Sequence, residues 1–220
     1  MRLLLVPHAE TEWNALGRFQ GHFDTSLNER GRRQAHLLQQ QMAEEPLKAI
    51  VASDLRRALE TAEILAQPRG LGVQAEPRLR ELHFGEWEGL TYGEVQERTP
   101  NTLADWENDP LRASPPGGER LTSLVQRLQD FLHDLTGHVP PSPLVSEGPG
   151  VRGESSAILL VAHRGSLRVL LCLLLDRPVE RHWEFRLDLA SLSEVEIVAG
   201  RAVLLRLNET PLGCEVRHGR

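Results

Sequence analysis

The sequence predicts an α/β fold: a three-layer α/β/α sandwich around a mostly parallel central sheet with an antiparallel edge strand. Three features carry this. Short apolar runs without alternation recur along the chain, the mark of strands covered on both faces. Segments with helical apolar spacing lie between them, so the strands are joined by crossovers and run parallel. The last two apolar runs flank Ala199-Gly200 and read as an antiparallel hairpin.

In chain order, Leu3 to Val6 is a short buried strand that stops at Pro7, because proline cannot donate to a ladder. Glu29 to roughly Glu45 follows as a helix with Ala35, Leu38 and Met42 on one face. Ile50 to Ser53 is the next strand, and Leu55 to Gln67 the next helix, with Ala58, Ala62 and Leu65 inward. Val73 to Ala75 is a weaker strand. Leu121, Leu124, Val125, Leu128, Phe131, Leu132 and Leu135 define a long amphipathic helix, entered through Pro-Pro-Gly-Gly-Glu-Arg at 115–120. His138 to Ser156, rich in Pro, Gly and Ser, reads as an exposed loop insertion. Ala157 to Ala162 is the last buried strand, and Glu194 to Val198 with Ala202 to Leu207 forms the hairpin at the sheet edge. No internal repeat is present, and residues 1–220 read as a single domain.

The chain has 220 residues, 40% of them hydrophobic, enough for one sizeable core. Its formal net charge of −6 argues against nucleic acid or an anionic membrane as partner, since both need a basic face. Any bound anion must be caught locally. Cys172 and Cys214 are far apart and form no CxxC pair, so neither a disulfide framework nor a zinc ribbon is indicated, and the compartment reads as reducing. No signal or membrane-spanning pattern occurs, and the expected location is cytoplasmic. Twenty-four of the 25 basic residues are arginine, Lys48 being the exception, so position alone can make an arginine informative.

Two motif matches fail on context. Gly148-Pro149-Gly150-Val151-Arg152-Gly153 matches the dinucleotide fingerprint, but a Pro-rich loop precedes it and a strand follows, the reverse of what the motif requires. His8-Ala9-Glu10 resembles half of a zinc deaminase site, but no PCxxC follows and no HExxH is present; no metal or other cofactor is expected. More telling are the residues that follow the strands. The first ends in His8, the second in Ser53-Asp54-Leu55-Arg56-Arg57, and the last buried strand in His163-Arg164. Ligands of open α/β sheets sit beyond the carboxyl ends of the strands, so these groups should converge on one anion site.

With these residues in place, the chain resembles the histidine phosphatase superfamily, which includes the cofactor-dependent phosphoglycerate mutases. Five segments match in the family's order: LLLVPHAETEWN with GRFQGHFDTSLNERGRRQA, SDLRRALETA, LRELHFGEWEG, PPGGER and LLVAHRGSLR. The resemblance implies that His8 is a nucleophile that carries the phosphoryl group as phosphohistidine. It implies that Arg57 and His163 stabilise the transferred group, whose charge lies on three equatorial oxygens. It makes Glu81 the general acid, then the base that activates water. Asn14, Gln20 and Gly21 match positions that commonly face substrate. Arg164 stands where the family usually has glycine, and it either enters the pocket or faces solvent.

Position 7 departs from the pattern. The family has Arg-His-Gly there and uses that arginine to bind phosphate; this chain has Pro7-His8-Ala9. Losing one preorganised donor costs about 10²–10³ in rate. The missing charge is then replaced by Arg164, Arg56 or Arg18, or the enzyme is slow, or the protein is a phospholigand-binding relative that has lost catalysis. Between phosphatase and mutase, the sequence favours the phosphatase. No lysine follows Gly89, and the segment from Thr91 to Arg112 is short and acidic, which suits a polyanionic substrate poorly. Glu119 of PPGGER would lie near the pocket in the phosphatase branches, or else serve as a first-turn helix carboxylate. The expected partner is a small-molecule phosphomonoester. An exposed edge in the hairpin or the first helices would support a homodimer.

Overall fold

A computed structural model describes residues 1–137 and 156–211. Its six-stranded sheet contains β1 (Arg2–Pro7), β2 (Leu47–Ala52), β3 (Val73–Ala75), β4 (Ala157–Ala162), β5 (Leu192–Val198) and β6 (Arg201–Glu209), in the spatial order β3-β2-β4-β1-β5-β6. The first four in that order are parallel, β5 runs antiparallel to β1, and the β5–β6 hairpin closes one edge. The predicted sandwich is the observed architecture.

Side-chain alternation along β1 and β4 builds two cores. Leu3, Leu5, Ile158, Leu160 and Ala162 point to one face, where α6 (Leu121–Gly137) and α7 (Arg164–Leu174) cover them. Leu4, Val6, Leu159 and Val161 point to the other, against α2 (Glu29–Gln41) and α3 (Arg56–Ala66). All six residues of β4 are buried, so each aliphatic side chain there contributes about 1.5–3 kcal/mol. Two short helices, α4 (Tyr92–Arg98) and α5 (Pro100–Asn108), send Val95, Leu103 and Trp106 into the first core. They fall in the acidic segment from Thr91 to Arg112, for which no helix is expected from sequence. A four-residue helix, α1 (Glu12–Ala15), follows β1 directly.

Boundaries differ from the sequence expectation by three or more residues at two places, and elsewhere by one or two. The helix expected to reach Glu45 ends at Gln41. Pro46 keeps Glu45 out of helical geometry, and Glu45 turns back to meet Arg2 and Arg206. The strand expected at Ile50 to Ser53 begins three residues earlier, at Leu47, because its first half pairs with Ala157 and Ile158 even though Lys48 is exposed. The expected loop at His138 to Ser156, apart from Ser156 itself, lies outside the described residues, as does Cys214.

Pro7 fits the end of a central strand because nothing asks for its missing N–H. Pairing with β5 stops at Leu5, and the His8 N–H takes the next ladder bond, to the Ala162 carbonyl at 2.8 Å. Among the described residues no helix is long and apolar enough to cross a membrane.

Candidate active site

Three parallel strands deliver their last residues to one edge. Register places Pro7 beside Ala162 and Ala52 beside Val161, so His8, Ser53 and His163 emerge as neighbours. The helices that follow β2 and β4 begin there too, at Arg56 and Arg164, and carboxylates meet their first turns: the Arg56 N–H donates to Asp24 at 2.7 Å, and the first turn of the second helix meets Glu81.

His8 is buried, and its Nδ1 lies 2.7 Å from the Ala9 carbonyl. A carbonyl only accepts, so Nδ1 carries the proton and Nε2 of the neutral ring is left with a free lone pair. Burial, then the nearby Arg57 and Arg164 guanidinium groups, push the His8 pKa well below that of an ordinary histidine. The loop behind it is held rigidly. Thr61 Oγ1 accepts the Ala9 N–H at 3.0 Å, and the Gln34 side chain accepts the Glu10 N–H at 3.0 Å.

The His163 ring packs edge-on to that of His8, with centroids 5.2 Å apart. It is fully buried, with Nε2 2.8 Å from the Ser53 hydroxyl and Nδ1 without a partner. Burial and Arg57 lower its pKa well below the usual range. Arg57, in the first turn of α3, is also fully buried. It donates through Nη1 to the Phe23 carbonyl at 2.8 Å and through Nη2 to the Gly21 carbonyl at 2.7 Å, leaving Nε without a partner. Burial lowers its pKa to about 10, and Glu81 is foremost among the carboxylates that hold it up, so it stays charged at neutral pH.

The Glu81 carboxylate sits at the N-terminus of α7. Oε2 accepts from the Gly165 N–H at 3.0 Å, and Oε1 from Ser166 at 3.1 Å and Leu82 at 2.9 Å. A Cβ at position 165 would lie 2.3 Å from Oε1, so glycine is needed for this approach.

His8, Arg57, Glu81 and His163 therefore converge from four separate segments. Gly21 joins them through its carbonyl; its φ of +52° favours glycine, and a Cβ there would lie 2.0 Å from Glu88 Oε1. Gln20 and Asn14 have internal acceptor roles. Gln20 Oε1 accepts from Thr11 and Thr25, and Asn14 Oδ1 accepts from the Thr11 backbone at the cap of α1. Arg164 is exposed at the first position of α7, and its charge reaches His8. Arg18 is engaged elsewhere, with the Gly89 carbonyl and Glu94.

Ser53, expected among the converging strand-end residues, supports His163, whereas sequence reasoning missed Thr61, although it lies within the SDLRRALETA segment. Also missed was Arg127, which binds the main chain around Glu81. Glu119 precedes α6 and pairs with Arg127, so it is not a first-turn carboxylate of that helix. Trp87 and Trp106 belong to the core, whereas Trp183 is half exposed.

A family model described as "Histidine phosphatase superfamily (branch 1)" matches residues 3–210. The chain is 35% identical to phosphoserine phosphatase 1 of Hydrogenobacter thermophilus, over 96% of this chain and 93% of that protein. It is 33% identical to adenosylcobalamin/alpha-ribazole phosphatase of Escherichia coli, over 98% and 99%. The crystal structure of the alpha-ribazole phosphatase from Shigella flexneri superposes with a TM-score of 0.83 at 31% identity, covering 98% of this chain and all of that one.

Proposed function

The chain belongs to the histidine phosphatase superfamily and is a hydrolase of it, and from that premise we propose that it hydrolyses small phosphomonoesters through a phosphohistidine on His8. The observation that carries this reading is a cluster of ring and guanidinium nitrogens left open in a buried site. Arg57 Nε and His163 Nδ1 are buried without partners, next to a His8 ring whose Nε2 carries a lone pair. Buried donors left unpaired cost stability unless a ligand satisfies them, and the oxygens of a phosphoryl group are suitable acceptors.

In the first step His8 Nε2 forms a bond to phosphorus as the P–O bond to the leaving group breaks, and Glu81 supplies the proton that the departing oxygen needs. Arg57 Nε and His163 Nδ1 hydrogen-bond the equatorial oxygens, where the transferring group carries its charge. The Ser53 hydroxyl can donate to His163 Nε2, which keeps the proton on Nδ1 facing the site. In the second step Glu81 takes a proton from water, which attacks phosphorus and frees His8. Asn14, Gln20 and Gly21 shape the loop on the substrate side, with Gly21 also bracing Arg57.

Arg164 supplies the cation missing at position 7. The side chain at position 7 shares the sheet face of Leu3 and Leu5, the face on which α7 packs against β1, and Arg164 is the first residue of that helix.

Phosphate release from a panel of phosphomonoesters, with and without 2,3-bisphosphoglycerate, tests the reading. His8→Ala should abolish release. Arg164→Ala should lower kcat/KM by about 10²–10³, and adding Pro7→Arg should restore part of it. Isomerisation of phosphoglycerate that depends on the bisphosphate would overturn hydrolysis as the reaction. Wild-type protein with no turnover, but active once Pro7→Arg is introduced, would overturn native catalysis.

A further inference from the structure

We propose that Arg127, held by Glu119, is a positioning residue that fixes the Glu81 carboxylate for proton transfer to the leaving group. The proposal rests on Glu81 as the proton donor, as argued above. Arg127 projects from α6 and uses all five of its N–H donors, three on the main chain of residues 78–81 and two on Glu119. Nη1 donates to the carbonyls of Arg78 at 2.6 Å and Arg80 at 2.7 Å. Nη2 donates to the Glu81 carbonyl at 2.9 Å and to Glu119 Oε2 at 2.9 Å, and Nε donates to Glu119 Oε1 at 2.8 Å.

Glu119 is anchored to the same stretch. Its N–H donates to the His83 carbonyl at 2.8 Å, and its carboxylate accepts the His83 N–H at 3.3 Å. On the other side, His22 Nε2 donates to the Glu81 carbonyl at 2.9 Å. The chain from 78 to 83 contains only one turn of 3-10 helix, Pro77–Leu79, so strand or helix bonding does little to fix it. Arg127 supplies what regular structure does not: a planar fork whose geometry sets the backbone from which the Glu81 side chain springs. A shift of about 1 Å in a catalytic group can cost about 10²-fold in rate.

The role shows in how rate depends on the leaving group. An alkoxide needs a proton as it departs, whereas p-nitrophenolate does not. Since kcat/KM reports the steps up to phosphoryl transfer, it isolates this need from later hydrolysis of the phosphohistidine. Arg127→Gln should lower kcat/KM for glycerol phosphate by about 10²-fold, and for p-nitrophenyl phosphate by less than about 3-fold. Glu119→Gln, which keeps the packing, should show the same split at smaller size and carries the test if Arg127→Gln does not fold. Equal losses on both substrates, or an unchanged glycerol phosphate rate in a folded variant, would overturn the proposal. Glu81→Gln serves as the control. If it lacks the split, the proton-donor reading fails and the clamp with it; if it shows the split and the Arg127 and Glu119 variants do not, the clamp alone fails.

Discussion

Arg57, on a helix that covers the sheet, and Arg206, in its edge strand β6, have surroundings that differ in kind. At the hairpin edge, Arg2 and Arg206 share Glu45 and Glu194 in four ion pairs of 2.6 to 3.1 Å, and Arg206 also reaches Glu209 at 3.6 Å. At the carboxyl edge of the parallel strands, Arg57 has only carbonyl oxygens as hydrogen-bond partners, and its Nε has none. A guanidinium matched to carboxylates holds structure. One that is buried, charged and incompletely matched, beside two buried histidines, is a candidate for binding an anionic ligand. The same contrast runs through the strands: β4 is buried along its whole length, while β6 alternates and exposes Val203 and Leu205.

Replacing the two arginines should separate these roles most sharply. Arg57→Lys keeps a positive charge but loses the fork, and kcat for phosphomonoester hydrolysis should fall by about 10²–10³. Arg206→Met should leave that rate unchanged, so equal effects on turnover would erase the distinction.

Acid should take the two regions apart in separate windows, read by urea unfolding across pH. His8 and His163 have folded pKa values below 6.5, so the unfolded chain binds protons that the native protein refuses. Stability therefore declines as pH falls below 6.5, by up to about 1.4 kcal/mol per pH unit for each ring. Glu45 responds lower. Burial raises its pKa, but hydrogen bonds from Arg206 and Arg2 outweigh this and hold it below 4.5. Its contribution is present above 4.5 and is lost as pH falls through the lowered value. Arg206→Met should shrink the lower phase, since Arg2 still holds Glu45, and leave the upper one unchanged.

Smaller still is the cost of Arg206→Met at neutral pH, about 1 kcal/mol, since the pair is partly solvated and Arg2 still holds both carboxylates. A loss several times larger would mean that the hairpin edge is as tightly constrained as the site.

Much of this was legible in the sequence because the signals were local. Ala157 to Ala162 is a strand with the expected ends, and His8 and His163 stand where parallel strands must deliver their ligand groups. Residues whose meaning depends on distant partners were not legible. Arg127 looks like any polar position on an amphipathic helix until Arg78, Arg80 and Glu81 are brought to it. At the end of α2 the local signal, Pro46, was legible, but the role of Glu45 was not, since it meets arginines 43 residues before it and 161 residues after it. The helices α4 and α5 were hidden because few of their residues are apolar, and those few pack into a core assembled from remote elements.

In the proposed mechanism, the hydrogen bond between His8 Nδ1 and the Ala9 carbonyl also sets the chemical identity of the phosphohistidine intermediate. With Nδ1 occupied, only the far ring nitrogen can accept phosphorus, so the adduct must be the tele isomer of phosphohistidine. Phosphorus NMR of the trapped protein should then show one phosphoramidate regioisomer, with no pros signal beside it.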